Sequence, residues 1–419
     1  MILIFSILSA AFLTRSPVTA TTFSTQCTAP LERVTFVTSP NTRGTLDILY
    51  GSLFTIFICI WTVQHLNVPE QRDGRDQHWR GDIKWALKGP QKKVKWMLVT
   101  LLAPEVLLAK SLAELMAAKR SVAIVRAIED RTGNFLSENE VGNWTMSHTY
   151  YAEMGGFAFQ TSIRRESGEG PSIVKLTAVL QVTWMVVQVL VRAARGLPIS
   201  QLEITACAFA ACTFVTYVLW WNKPQAVTVC TEIIIEDQET WRMEILNGTW
   251  RNIEASQLPY KSIFQSFVPQ LGEGKTYTRA DMPIPNDALP GMGAYSVILS
   301  GVIVLGLFLG CILLGAIHCS AWNFYLPTRT EQILWRCFSL ASCFLIPVFY
   351  VLGSLLLLAS AIGGFGFLDS GREFYVLSSV CSIIYVTSRL FLLFESIWSL
   401  FHLPPRAFIT TWSSNIPHM

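Results

Sequence analysis

WMLVTLLAPEVLLAKSLAELM, residues 96–116, decides how this chain is threaded. It is mostly apolar and long enough for a bilayer, which an α-helix crosses with roughly 20 residues. It also carries Pro104, Glu105, Lys110 and Glu114, and a charge at the centre of a spanning helix costs ~2.5–3.5 kcal/mol on insertion scales. At about 100° per residue, Glu105 and Glu114 fall on opposite faces, so a surface-lying amphipathic helix is not a clean fit either. The segment is ambiguous by itself, and the rest of the chain has to vote on it.

Working outward, six further runs read as membrane spans: Leu46 to Val63, Ile173 to Val191, Ile204 to Trp221, Tyr295 to Ile317, Cys337 to Ala361 and Phe374 to Leu400. Composition agrees, since 51% of the 419 residues are hydrophobic, only 15% are charged and mean hydropathy is +0.41. The expected fold is therefore an all-α membrane protein, a polytopic bundle of about seven transmembrane helices with two extracytoplasmic loops. A net charge of +3 without a basic block interleaved with aromatics excludes a nucleic-acid partner.

Ile2 to Leu13, followed by the small polar stretch Ser16 to Ala20, reads as a signal peptide, although its first residues lack Lys or Arg. The following loop holds Arg72, Arg75, Arg80, Lys84, Lys88, Lys92, Lys93 and Lys95 against Glu70, Asp73, Asp76 and Asp82, which favours the cytosol. If residues 96–116 cross, Arg192, Arg195, Arg329, Arg336 and Arg406 also become cytosolic. The sequons at Asn143 and Asn247 and the cysteines Cys27 and Cys230 then face outward. That agreement favours seven spans over a re-entrant segment.

The expected layout is a signal peptide at 1–20, an extracytoplasmic segment at 21–45, and two membrane segments within 46–118 around a basic cytosolic loop at 65–95. An extracytoplasmic loop follows at 119–172, then two helices within 173–221 and a large extracytoplasmic loop at 222–291. Three helices within 292–402 and a cytosolic tail at 403–419 complete the chain. In the large loop, Ala226 to Ile235 reads as a strand.

Intramembrane ionisable groups are costly and so mark candidate sites. Glu105, Lys110, Arg389 and Glu395 are the chosen ones, with Glu105 as one partner open to Arg389. Asp47, Glu114, Gln181 and Gln188 are also polar within or beside spans, and Asp47 fits the membrane interface. Cys27 and Cys230 form the expected disulfide, as the two thiols facing an oxidising lumen. His148, among Ser147, Thr149, Tyr150, Tyr151 and Glu153, suits acid–base chemistry but lacks converging partners. No nucleophile elbow, phosphate loop or zinc spacing occurs, so no metal, cofactor or catalytic residue is expected.

Gly306 and Gly310, flanked by Gly301 and Gly315, and the pair Ala206 and Ala210 allow close helix approach. They serve packing within the chain first and a homo-oligomer through Gly306 and Gly310 second. Pro347 predicts a kink.

KWMLVTLLAPEVLLAKSLAEL (95–115), HTYYAEMGGF, GLPISQLEITACAFA, TYVLWWNKP and FHLPPRAFITTWSSNIPH together resemble uncharacterised multi-pass membrane proteins of filamentous fungi. The likeness covers most of the chain from Leu46 onward. It implies a fungal integral membrane protein and brings no activity, cofactor or residue role.

The sequence therefore favours a non-enzymatic protein that senses or organises within the bilayer, its ligand unassigned. A small-molecule or ion transporter is the alternative, and a membrane-embedded enzyme acting on a lipid or terpenoid the second. The secretory route places it in a membrane, by default the plasma membrane.

Overall fold

The computed structural model describes residues 35–38, 43–69, 78–132, 145–160, 172–227, 231–234, 286, 296–363 and 371–411. The expected signal peptide at 1–20, both sequons, Cys27 and Cys230 lie outside the described residues.

Among the described residues there are nine α-helices: α1 Thr45–Thr62, α2 Trp79–Leu102, α3 Pro104–Thr132, α4 Met146–Glu153, α5 Ser172–Ala194, α6 Gln201–Leu219, α7 Ser296–Cys319, α8 Arg329–Gly363 and α9 Gly371–Trp398. Single 3-10 turns follow at Ser399–His402 and Pro405–Phe408. Five of these helices, α1, α6, α7, α8 and α9, are long and apolar enough to cross a membrane, as a helical membrane protein requires. In α5 the apolar stretch Val179–Ala194 is shorter. The bundle surface is itself apolar: Phe344, Val348, Leu355, Val380, Ile383 and Phe394 are all exposed on α8 and α9. A surface of that kind suits hydrocarbon rather than water.

Local chemistry sets the helix ends. The Asp47 carboxylate accepts the Gly44 N–H at 2.9 Å, a cap that explains its place at the edge of α1. Ser200 and Glu203 form a reciprocal capping box at α6, and Thr328 and Glu331 another at α8. Gly196, at φ +62°, takes the left-handed conformation that ends α5, two residues before Pro198.

The bundle has two recognisable ends. At the tail end Arg43 pairs with Glu203, and the buried Arg192 guanidinium donates to the carbonyls of Pro198, Ala407 and Ile409 at 2.8–3.1 Å. These bonds bind the starts of α1 and α6, the end of α5 and the tail together. At the loop end Tyr217 Oη donates to the Thr62 carbonyl at 2.6 Å and Tyr150 Oη to that of Leu219 at 3.3 Å. The ends of α1 and α6 and helix α4 therefore meet there. The strands β1 Phe157–Gln160 and β2 Thr231–Ile234 pair in parallel, Phe157 opposite Thr231. β2 falls inside the expected strand, but its partner was not foreseen.

Residues 96–116 do not form one straight helix. α2 and α3 meet at Ala103–Pro104 with a bend of 109°, and Pro104 supplies the break because it has no N–H for a continuing helix. Before the bend Trp96 packs with Val63 and Trp220. After it, Lys110 lies 5.7 Å from the Trp96 ring and 5.5 Å from that of Trp220. Both arms therefore reach the loop end, while the corner lies deep among α6, α7 and α9. From that corner α3 runs along α7, its main neighbour. Gly306 and Gly310 make the approach possible: a methyl on Gly306 would sit 2.6 Å from Ala109 Cα, and one on Gly310 would overlap Glu105. The small-residue face of α7 is thus filled from within the chain.

Candidate functional site

Two polar clusters sit inside this apolar bundle. The deeper one gathers at the α2–α3 corner. Glu105, in the first turn of α3, is fully buried, and its Oε1 accepts a hydrogen bond from Tyr385 Oη of α9 at 2.5 Å. Arg389, one turn further along α9 and 1% exposed, donates from Nε to the Leu102 carbonyl at 3.1 Å. That carbonyl belongs to the last turn of α2, where no helical N–H follows to meet it. The guanidinium also lies 5.9 Å from the Phe209 ring.

Glu105 and Arg389 do not pair with each other, contrary to the pairing the sequence left open. Among the described residues, Glu105 Oε2 and both terminal nitrogens of Arg389 are buried without a hydrogen-bond partner. Tyr385 and the α2 carbonyl have taken one side of each group. An unmet buried polar atom costs ~1–3 kcal/mol and more when charged. A fold that keeps three of them at one corner holds unused binding capacity there.

From Arg389 the polar groups continue toward the tail end. Tyr385, Ser388, Arg389 and Ser396 follow helical spacing and share one face of α9, and Ser399 follows at the start of the 3-10 turn. Thr205 of α6 meets Ser396 Oγ at 2.7 Å and His318 Nε2 of α7 at 3.5 Å, and His318 Nδ1 lies 2.8 Å from the Leu314 carbonyl. Glu395 is 2% exposed, with its Oε1 unpartnered. Leu392, fully buried, is the apolar interruption in this column.

The second cluster closes the loop end. Glu114 accepts from Lys110 and Lys223 at 2.6 Å each and from Trp220 Nε1 at 2.7 Å. Two ammonium groups thus share one carboxylate in a largely dry setting, with Lys223 also 4.6 Å from the Trp220 ring. Burial, reinforced by the Lys110 charge, draws Lys223 down to about 8 in spite of Glu114. Beside it Glu153 accepts from Ser121 Oγ at 3.1 Å. Burial and the neighbouring Glu114 charge push its carboxyl up to about 8.

Of the four residues singled out in the sequence, Glu105 and Arg389 come together, Lys110 joins the loop-end cluster and Glu395 lies toward the tail end. Tyr385, Lys223 and Glu153 were missed as site residues. Tyr385 sits four residues before Arg389, which helical spacing alone would have flagged. Lys223 lies just past an apolar run, and no local pattern ties it to Glu114 until the fold sets the two together. His148 is exposed, and its Nδ1 accepts the Thr145 N–H at 3.1 Å, capping α4. Among the described residues no three His, Cys, Asp or Glu side chains are placed to hold a metal ion.

A family model for a family of unknown function (DUF8562) matches two overlapping stretches, residues 8–178 and 162–249. No curated protein and no solved structure matches the chain. The matched stretches hold Glu105, Lys110, Glu114 and Lys223, whereas Tyr385 and Arg389 lie beyond them. Together they span residues 8–249, more than half of the 419, so the chain belongs to the family of unknown function (DUF8562).

Proposed function

We propose that this protein is a multi-pass membrane carrier of a small charged or polar solute, with the α2–α3 corner as its central site. One observation carries the reading: Glu105 and Arg389 lie deep in the bundle with three polar atoms unmet, at a helix break that both arms leave toward the same end. Broken helices that place such groups at mid-depth are a recurring way of building a solute site in membranes. Polar groups extend from this corner toward both ends, which fits passage better than a closed structural ion pair.

In this proposal α1, α5, α6, α7, α8 and α9 cross the bilayer and residues 96–116 form a re-entrant hairpin. It has six crossings, in place of the seven that the sequence favoured. The basic segment 65–95 then shares a side with the loops at 119–172 and 222–291. A plasma-membrane location remains the default of a secretory signal.

A sensing role, the sequence's first choice, draws support from the loop-end cap formed by α4 and residues 63–68. Val68 N–H donates to the Met154 carbonyl at 3.0 Å, so that cap is fastened to the end of α1 and is placed to report occupancy below it.

The deciding experiment is flux into proteoliposomes containing the purified chain, followed with a trapped pH dye and with labelled chloride, phosphate and acetate. Uptake above that of empty vesicles, lost in Arg389→Gln with unchanged expression and elution profile, is the expected result. If no probe moves while the protein remains folded, the carrier reading fails and the sensing role stands. The enzyme alternative has His148 or Glu105 as acid or base, and unchanged products in His148→Ala would sink the His148 role.

A further inference from the structure

We infer that the exposed half of α2 is a docking helix for anionic lipid headgroups, an assignment independent of what the central site carries. Trp79, Ile83 and Leu87 before Pro90, and Val94 and Leu98 where the stripe runs on past it, are each at least 49% exposed. At about 100° per residue they fall within an arc roughly 100° wide, with the exposed Arg80 at its edge. Lys84, Lys88, Lys92 and Lys95 occupy a second arc on the other side of the same helix. A helix with a continuous apolar stripe and a lysine-rich opposite face is built to lie in the interfacial plane, its stripe among acyl chains and its ammonium groups among headgroups.

The helix is also placed at the right depth. Lys93 Nζ sits 3.6 Å from the Trp61 ring near the end of α1, whose outward side carries the exposed Phe54, Phe57 and Trp61. An aromatic at the end of a span marks the interface, so the stripe of α2 continues the lipid-facing surface of the bundle. Pro90, inside α2, removes one backbone donor between the exposed first half and the second half that descends to the corner. Charge decides among occupants. Five lysines within twelve residues, Lys84, Lys88, Lys92, Lys93 and Lys95, with Asp82 as the one acid of α2, oppose a second copy of the same helix and fit an anionic surface.

The test places a nitroxide on Ile83→Cys or Lys88→Cys in the full chain, with the native thiols replaced and the elution profile retained. The chain is reconstituted in phosphatidylcholine vesicles with or without 30% phosphatidylserine, where the percentage is an experimental choice. The oxygen-to-nickel accessibility ratio at 83 is expected to exceed that at 88 several-fold, and to rise further with phosphatidylserine. Changing Lys84, Lys88 and Lys92 to Gln, with the label at 83, should remove that rise. Equal water exposure at both sites overturns the proposal, as does shielding of both from both reagents, which means a protein partner. Depth insensitive to phosphatidylserine overturns the anionic preference.

Discussion

At the level of single residues the two clusters make different demands. Tyr385 meets only one oxygen of Glu105, so Tyr385→Phe adds a second unmet oxygen and leaves packing volume almost unchanged. The expected cost is about 1–3 kcal/mol, read as a lowered melting midpoint in detergent. Flux, where present, should shift in pH profile rather than vanish. Glu153 is a pH-dependent element outside the spans. Its folded carboxyl titrates at about 8 rather than 4.5, so the folded state holds the proton more tightly than the unfolded chain. Its stabilising contribution is complete below about 4.5 and is lost as pH rises through 8. Lys223 runs the other way: lowered from 10.5 to about 8, it contributes above 10.5 and loses that contribution as pH falls through 8. Protection of α4 amides in hydrogen exchange should therefore fall between pH 5 and 8, and Glu153→Gln should flatten that fall. An unchanged slope in the variant would remove Glu153 from the account.

Among the helices, α3 depends on two contacts. Gly310 faces Glu105 with no room for a side chain, so Gly310→Val should force α3 from α7 at a cost of about 1–3 kcal/mol. Gly301, with nothing near its missing Cβ, should accept Ala with little change; equal loss at both positions would deny the α3–α7 contact. At the tail end Arg192 serves three carbonyls, a number that sequence reading as a loop cation did not suggest. Arg192→Ala should cost roughly 1.5–3 kcal/mol, seen as earlier proteolysis of the tail. Five of the six expected runs were legible as helices long and apolar enough to cross a membrane, because a helix that must satisfy its own backbone in hydrocarbon needs an unbroken apolar run, and the sixth, Ile173 to Val191, has a shorter one. Tyr295 to Ile317 became Ser296–Cys319 and Phe374 to Leu400 became Gly371–Trp398. β1 carried no comparable signal, since a four-residue strand is defined by its partner rather than by its own pattern.

For the molecule as a whole, the proposed hairpin has a consequence for sidedness. A thiol introduced by Lys84→Cys should react with an impermeant reagent from the same side of the membrane as the loops at 119–172 and 222–291. Seven spans would put it on the opposite side, and labelling from that side would exclude the hairpin. By itself the sequence determined that this is a helical chain made for an apolar surround, where its long apolar runs lie, and that Glu105 and Arg389 needed an explanation. Composition and run length suffice for that, because they fix which solvent each segment prefers. Only the tertiary structure decided that residues 96–116 turn at Pro104, that Tyr385 rather than Arg389 meets Glu105, and that Glu114 joins Lys110 of its own helix to Lys223 beyond the end of α6. Those outcomes depend on which helices come close, and here that was set by Gly306 and Gly310 admitting α3 to the face of α7, a matter of fit between distant segments that no local pattern records.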